Sequence, residues 1–223
     1  MSSDNWSPVK SVGGILSADP QENPHFSEAN HVYVPYCSSD AWSGTKKDSE
    51  GLTFMGRHIL QEVIKELSDF QQLLFGEELF LAGSSAGAIG VLLNVDFVAQ
   101  LVSPRGVRVR GIVDSGWFLD NQDSNGFLHD LKNGIKLWQA NVNDDCARRY
   151  PEELWQCYLG YKVYPFIKCK SLKILKFFVE WSNLAFESRS KFHACFKHAT
   201  FWTPILTYIL LIFSSIVHFP MAI

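Results

Sequence analysis

Charge is scarce in this sequence. Of 223 residues, 19% are Asp, Glu, Lys or Arg, against about 25% in an ordinary soluble domain. From Ala199 to Ile223 there is no charged residue if His218 is neutral. The net charge is −3, so no basic field is available for a nucleic-acid partner. No C-x-x-C or comparable ligand spacing occurs, which argues against a structural metal. Internal repeats are absent. Met1 is followed by Ser, Asp, Asn and Pro with no apolar stretch, so no secretory signal is expected here. Hydrophobic residues are plentiful at 47%, with 14% aromatic. Such a chain offsets its ordering entropy by burial and folds around one sizeable core.

Charge is also unevenly spread. Residues 1–168 carry 14 Lys and Arg against 21 Asp and Glu, whereas residues 169–223 carry six against two. The change near Cys169 divides the chain into an expected domain, 1–169, and a divergent tail, 170–223. The five cysteines are Cys37, Cys146, Cys157, Cys169 and Cys195. Four in the first part suit an oxidised, secreted domain, but free buried thiols fit the count equally and the pairing stays open. Asn5-Trp6-Ser7 is a glycosylation sequon of a kind frequent by chance.

The apolar pattern gives an α/β class. His31 to Tyr36 reads as a strand. Phe54 to Phe70 has helical period, with Ile59, Val63, Ile64 and Leu67 on one side. Glu78 to Ala82 is a short apolar run suited to a buried parallel strand. Ala86 to Leu101 reads as a helix and Val107 to Val113 as another buried strand. Ile135 to Trp138 and Tyr150 to Tyr158 read as helical. Alternating strands and helices imply a parallel sheet with flanking helices.

Gly83-Ser84-Ser85-Ala86-Gly87 is a G-x-S-x-G between an apolar strand and a helix. A sharp strand-to-helix turn there lifts Ser85 above the sheet end. The helix behind it offers free N–H groups and a positive dipole end, and the Ala86 N–H falls where an oxyanion would form. Ser84 is the poorer candidate, because Ala82 and Ala86 take its flanking glycine positions. The rival explanation is an ordinary glycine-rich turn. A serine nucleophile needs a base, and the histidines that follow are His129, His193, His198 and His218; each is otherwise an ordinary surface or core histidine. Asp114, at a strand end, could hold a histidine, or cap the turn beside Ser115. Phe201 to Val217 is nearly continuous in apolar residues. It is expected to be helical and exposed, and at 17 residues is short of the roughly 20 a membrane span needs. Membrane association through 201–217 is the lesser expectation.

Several stretches together resemble the Notum-type carboxylesterases of the pectin acetylesterase family, within the α/β-hydrolases. They include Val34-Pro35-Tyr36-Cys37-Ser38-Ser39-Asp40, Trp42-Ser43-Gly44, the run from Leu81 to Asp96, Asp114-Ser115-Gly116-Trp117-Phe118-Leu119-Asp120-Asn121, and Gly160-Tyr161-Lys162-Val163-Tyr164-Pro165. The likeness covers residues 12–169 and is expected to stop after Cys169.

The resemblance implies an incomplete α/β-hydrolase fold and a secreted serine esterase without cofactor. That enzyme would remove palmitoleate from lipidated Wnt proteins and so inhibit Wnt signalling. It implies Ser85 as nucleophile, the Ala86 N–H as oxyanion donor, and Phe118 as an aromatic wall of the acyl pocket. Tyr158 and Leu159 fall where the family has two pocket phenylalanines, so that wall is altered. The family's triad acid and histidine have no counterpart here: Phe178-Val179-Glu180-Trp181 is faintly similar to the strand before the acid, but Ser182-Asn183-Leu184 follow. The expectation is a chain inactive on its own, the rivals being a non-catalytic lipid binder or a membrane-tethered fragment.

Overall fold

The computed structural model describes residues 7–47, 51–69, 73–120, 127–169, 172–175 and 207–213. In chain order the main elements are β1 (Asn30–Pro35), α1 (Gly56–Asp69), β2 (Glu78–Ser84), α2 (Ala86–Val102), β3 (Arg108–Asp114), α3 (Phe127–Trp138), α4 (Asp144–Arg149), α5 (Gly160–Val163), β4 (Leu172–Leu175) and β5 (Thr207–Phe213). The five strands form one sheet in the order β1-β5-β2-β3-β4, and every pairing is parallel.

Strand alternation sends successive side chains to opposite faces, and the core divides accordingly. Leu79, Leu81, Val109 and Val113 join the larger cluster beneath the helices, with Leu60 and Ile64 of α1 and Val91, Leu92, Val95 and Val98 of α2. Phe80, Ala82 and Ile112 face the other way, onto Leu16 and Phe26. Phe26 meets Phe80 edge-on at 5.0 Å between ring centres. α1 buries Leu60, Ile64 and Leu67 along one stripe and turns Glu62 and Lys65 to solvent as an exposed ion pair. α2 is apolar on nearly every side because it lies between the sheet and the other helices. It is the one helix among the described residues long and apolar enough to cross a membrane, and most of it is packed inside this core.

Two sequence expectations fail here. Tyr150 to Tyr158 is not one helix: α4 ends at Arg149, and a 3-10 turn covers Leu154–Tyr158, as Pro151 cannot donate into a continuing helix. The second concerns the tail. The apolar helical stretch at 201–217 is strand from Thr207 to Phe213, and β5 lies between β1 and β2 rather than outside the fold. β4 likewise extends the sheet beyond β3. The described parts of 170–223 therefore join the same sheet as residues 1–169. A short continuous apolar run serves a buried parallel strand as well as a helix, and periodicity cannot separate the two. The remainder of 201–217 lies outside the described residues. So do Asn5, Glu180, Glu187, His193, Cys195, His198 and His218.

Cys146 and Cys157 form a disulfide, and Cys169 Sγ donates to the Val109 carbonyl at 3.1 Å.

Candidate active site

β2 runs fully buried from Glu78 to Gly83, then delivers Ser84 and Ser85 to the carboxyl end of the sheet. Ser85 has φ 56° and ψ −118°, a conformation L-residues avoid and one that surrounding structure must impose. Its N–H donates to the Asp114 carbonyl of the neighbouring strand at 3.0 Å, and its own carbonyl accepts from Ala88 and Ile89 at 3.0 and 3.2 Å. The strained residue is thus held from both sides. Gly83 permits the turn: a Cβ there would overlap the Gly87 carbonyl. Ser85 is half-buried, which leaves its side chain open to approach. The Ala86 N–H heads α2, where no intrahelical acceptor exists, and among the described residues it forms no hydrogen bond.

Asp114 pairs with Ser84 in the ladder. Burial raises its carboxyl above the usual carboxylate range, against the pull of hydrogen bonds from Ser84 and Ser115. Ser115 Oγ is 3.3 Å from the carboxylate. Among the described residues Asp114 thus serves the turn and is hydrogen-bonded to no histidine. His129 lies on α3 and hydrogen-bonds with Asn133 at 2.9 Å. Among the described residues no histidine is hydrogen-bonded to the Ser85 hydroxyl.

The three residues of the expected acyl wall differ in setting. Phe118, four residues past Asp114, is half-buried against the larger core cluster. Tyr158 and Leu159 are 1% and 0% exposed, so neither presents a surface in this structure. Tyr158 leans on Trp138 at 6.3 Å between ring centres, and its hydroxyl lies 2.5 Å from Ser43 Oγ. Ser43 gives its one hydroxyl proton to the Asp40 carbonyl and is left to accept from Tyr158. Burial pushes the Tyr158 phenol up.

Sequence reasoning missed Asp40. Read as part of a polar loop, it is fully buried. Its carboxylate accepts from Ser38 Oγ and Trp42 N on one oxygen (2.5 and 3.0 Å) and from Gly44 N and Gly56 N on the other (3.1 and 2.7 Å). The loop it organises supports α2, the helix that follows Ser85: Trp42 accepts from Asn94 Nδ2 at 3.0 Å through its carbonyl and lays its ring against Gly90. The spacing of Ser38, Gly44 and Gly56 around an acid was the available signal.

A positive-φ serine between a buried parallel strand and a helix has the backbone geometry of the nucleophile elbow found in α/β-hydrolase-type folds. The Pectinacetylesterase family profile matches residues 1–197, and the chain belongs to that family. The match runs past Cys169, where the motif-by-motif likeness was expected to end. The chain is 44% identical over 197 residues to the palmitoleoyl-protein carboxylesterase NOTUM of Mus musculus, covering 81% of this chain and 38% of that protein. It is 43% identical over 200 residues to its Homo sapiens counterpart, with the same coverage. The crystal structure of the Wnt deacylase Notum from Drosophila superposes with a TM-score of 0.72 at 44% identity, over 78% of this chain and 53% of that one. The chain thus spans about two fifths of the length of the curated relatives it matches.

Proposed function

We propose that this chain carries the nucleophile and part of the acyl-binding wall of a Notum-type carboxylesterase, acting on palmitoleate esterified to a serine of a secreted Wnt protein. The observation that carries the reading is the strained Ser85 turn with an open Ala86 N–H, in a chain of this family. In such a site Ser85 Oγ attacks the ester carbonyl and the Ala86 N–H stabilises the oxyanion. Phe118 shapes the apolar side that receives the acyl chain, with the buried Tyr158 and Leu159 proposed at the positions of the family's two pocket phenylalanines. Each buried methylene contributes about 0.8 kcal/mol, so a sixteen-carbon chain supplies ample binding. Secretion is part of this proposal, since Wnt substrates are met outside the cell.

The chain alone is proposed to be a poor catalyst. Ser85 has no histidine partner among the described residues, and an unassisted serine loses several orders of magnitude in rate. The test is hydrolysis of a fluorogenic octanoyl ester beside a Ser85→Ala control. No turnover above the control is expected; turnover well above it would mean that a histidine of this chain serves as base.

A further inference from the structure

Two segments carry the residues of the proposed acyl wall. One is the stretch Asp114 to Asp120, leaving β3 and carrying Phe118. The other is the 3-10 turn Leu154–Tyr158 with α5, carrying Tyr158 and Leu159. They meet at three points. The Trp117 ring lies over Gly160 so closely that a Cβ there would come within 2.5 Å of it. Trp117 also meets the Tyr164 ring edge-on at 6.0 Å. Tyr161 donates its hydroxyl to Asp120 Oδ1 at 2.5 Å.

The first two contacts are apolar and carry no hydrogen-bond direction. The third is a charge-assisted hydrogen bond with a defined direction. It ties the stretch two residues beyond Phe118, next to Leu119, which is 42% exposed. Both partners are only part-buried, so neither is needed to fill the core.

We infer that the Tyr161–Asp120 hydrogen bond is a latch that fixes Phe118 for acyl binding, which makes Tyr161 a positioning residue of the ester site. The inference rests on the acyl-site reading above. Burial, together with the bond to Asp120, raises the Tyr161 phenol, so the latch stays protonated at any physiological pH.

The test compares the full chain with Tyr161→Phe, Asp120→Ala and Asp120→Asn. Amide hydrogen exchange over Trp117 to Asp120 should quicken about tenfold or more in Tyr161→Phe and Asp120→Ala, as expected for losing a hydrogen bond to a charged group. Asp120→Asn retains an accepting oxygen and should restore most of the protection. Affinity for a fluorescent sixteen-carbon acyl probe should fall three- to tenfold in the first two variants and recover in the third, with the rise in exchange confined to the stretch around Phe118. A residue with a merely structural role would quicken exchange throughout and leave probe affinity unchanged. Unchanged local exchange in Tyr161→Phe, or a uniform rise across the chain, overturns the latch. If the unaltered chain binds no acyl probe, the acyl-site reading falls and the latch's role in it falls too, whatever the exchange shows.

Discussion

Removing the Asp40 carboxylate should be among the most damaging single changes in this chain. Asp40→Ala strips the acceptors from one hydroxyl and three backbone N–H groups in a place water does not reach. An orphaned buried donor costs about 1–3 kcal/mol. If relaxation or an entering water satisfies half of them, about 3–5 kcal/mol is lost, a large fraction of a typical stability of 5–15 kcal/mol. Asp40→Asn is not a mild substitute. Its oxygen can still serve Ser38 and Trp42, but its amide would then point donors at the N–H groups of Gly44 and Gly56, for a loss of about 2–4 kcal/mol. Equilibrium urea unfolding followed by tryptophan fluorescence is the assay. With a slope of about 2 kcal/mol per molar, the midpoint should move down by about 1.5–2.5 M for Asp40→Ala. A shift corresponding to less than about 1 kcal/mol would refute the claim that this carboxylate organises the loop.

Three further outcomes follow from the fold. Asp114 holds its proton more tightly folded than unfolded, so its contribution is favourable at low pH and is lost as pH rises from the ordinary carboxylate value through the raised one. Asp114→Asn should therefore gain stability relative to the unaltered chain, by chemical denaturation, as pH rises from the ordinary carboxylate value through the raised one, and a pH-independent difference would contradict this. The Cys146–Cys157 bridge closes a loop with a sequence separation of 11. Its reduction should cost about 3 kcal/mol on the chain-entropy account, read as a lower urea midpoint in reductant; an unchanged midpoint would show that the loop is already ordered without it. Deleting residues 199–223 removes β5 and leaves β1 and β2 without the strand that joins them. Soluble yield should fall sharply, and an increase would show that the segment is not part of the sheet.

The sequence told most where hydrophobic pattern and turn chemistry agree. β2, the Ser85 turn and α2 were legible because a buried strand, flanking glycines and a helical run all point to one structure. β5 was not, since a run such as Ile209 to Phe213 carries no period that separates buried strand from helix. Asp40 was hidden for another reason: its four donors come from residues up to 16 positions away, and three of them are backbone, which no composition reveals. The Tyr158 hydroxyl likewise depends on Ser43, 115 residues distant. Phe118 is proposed on resemblance alone, whereas the near-complete burial of Tyr158 and Leu159 emerged only from the packing.

The central claim is that this chain presents Ser85 beside a surface built for a long acyl chain. Fluorescence anisotropy with a peptide bearing a palmitoleoylated serine tests it most directly, using the unaltered chain, Ser85→Ala and Phe118→Asp. The account predicts saturable binding by the first two, since a nucleophile contributes little to ground-state affinity. It predicts loss of at least tenfold in Phe118→Asp, where a carboxylate would face the acyl chain. Equal binding by all three, or no preference for the acylated over the bare peptide, would contradict it.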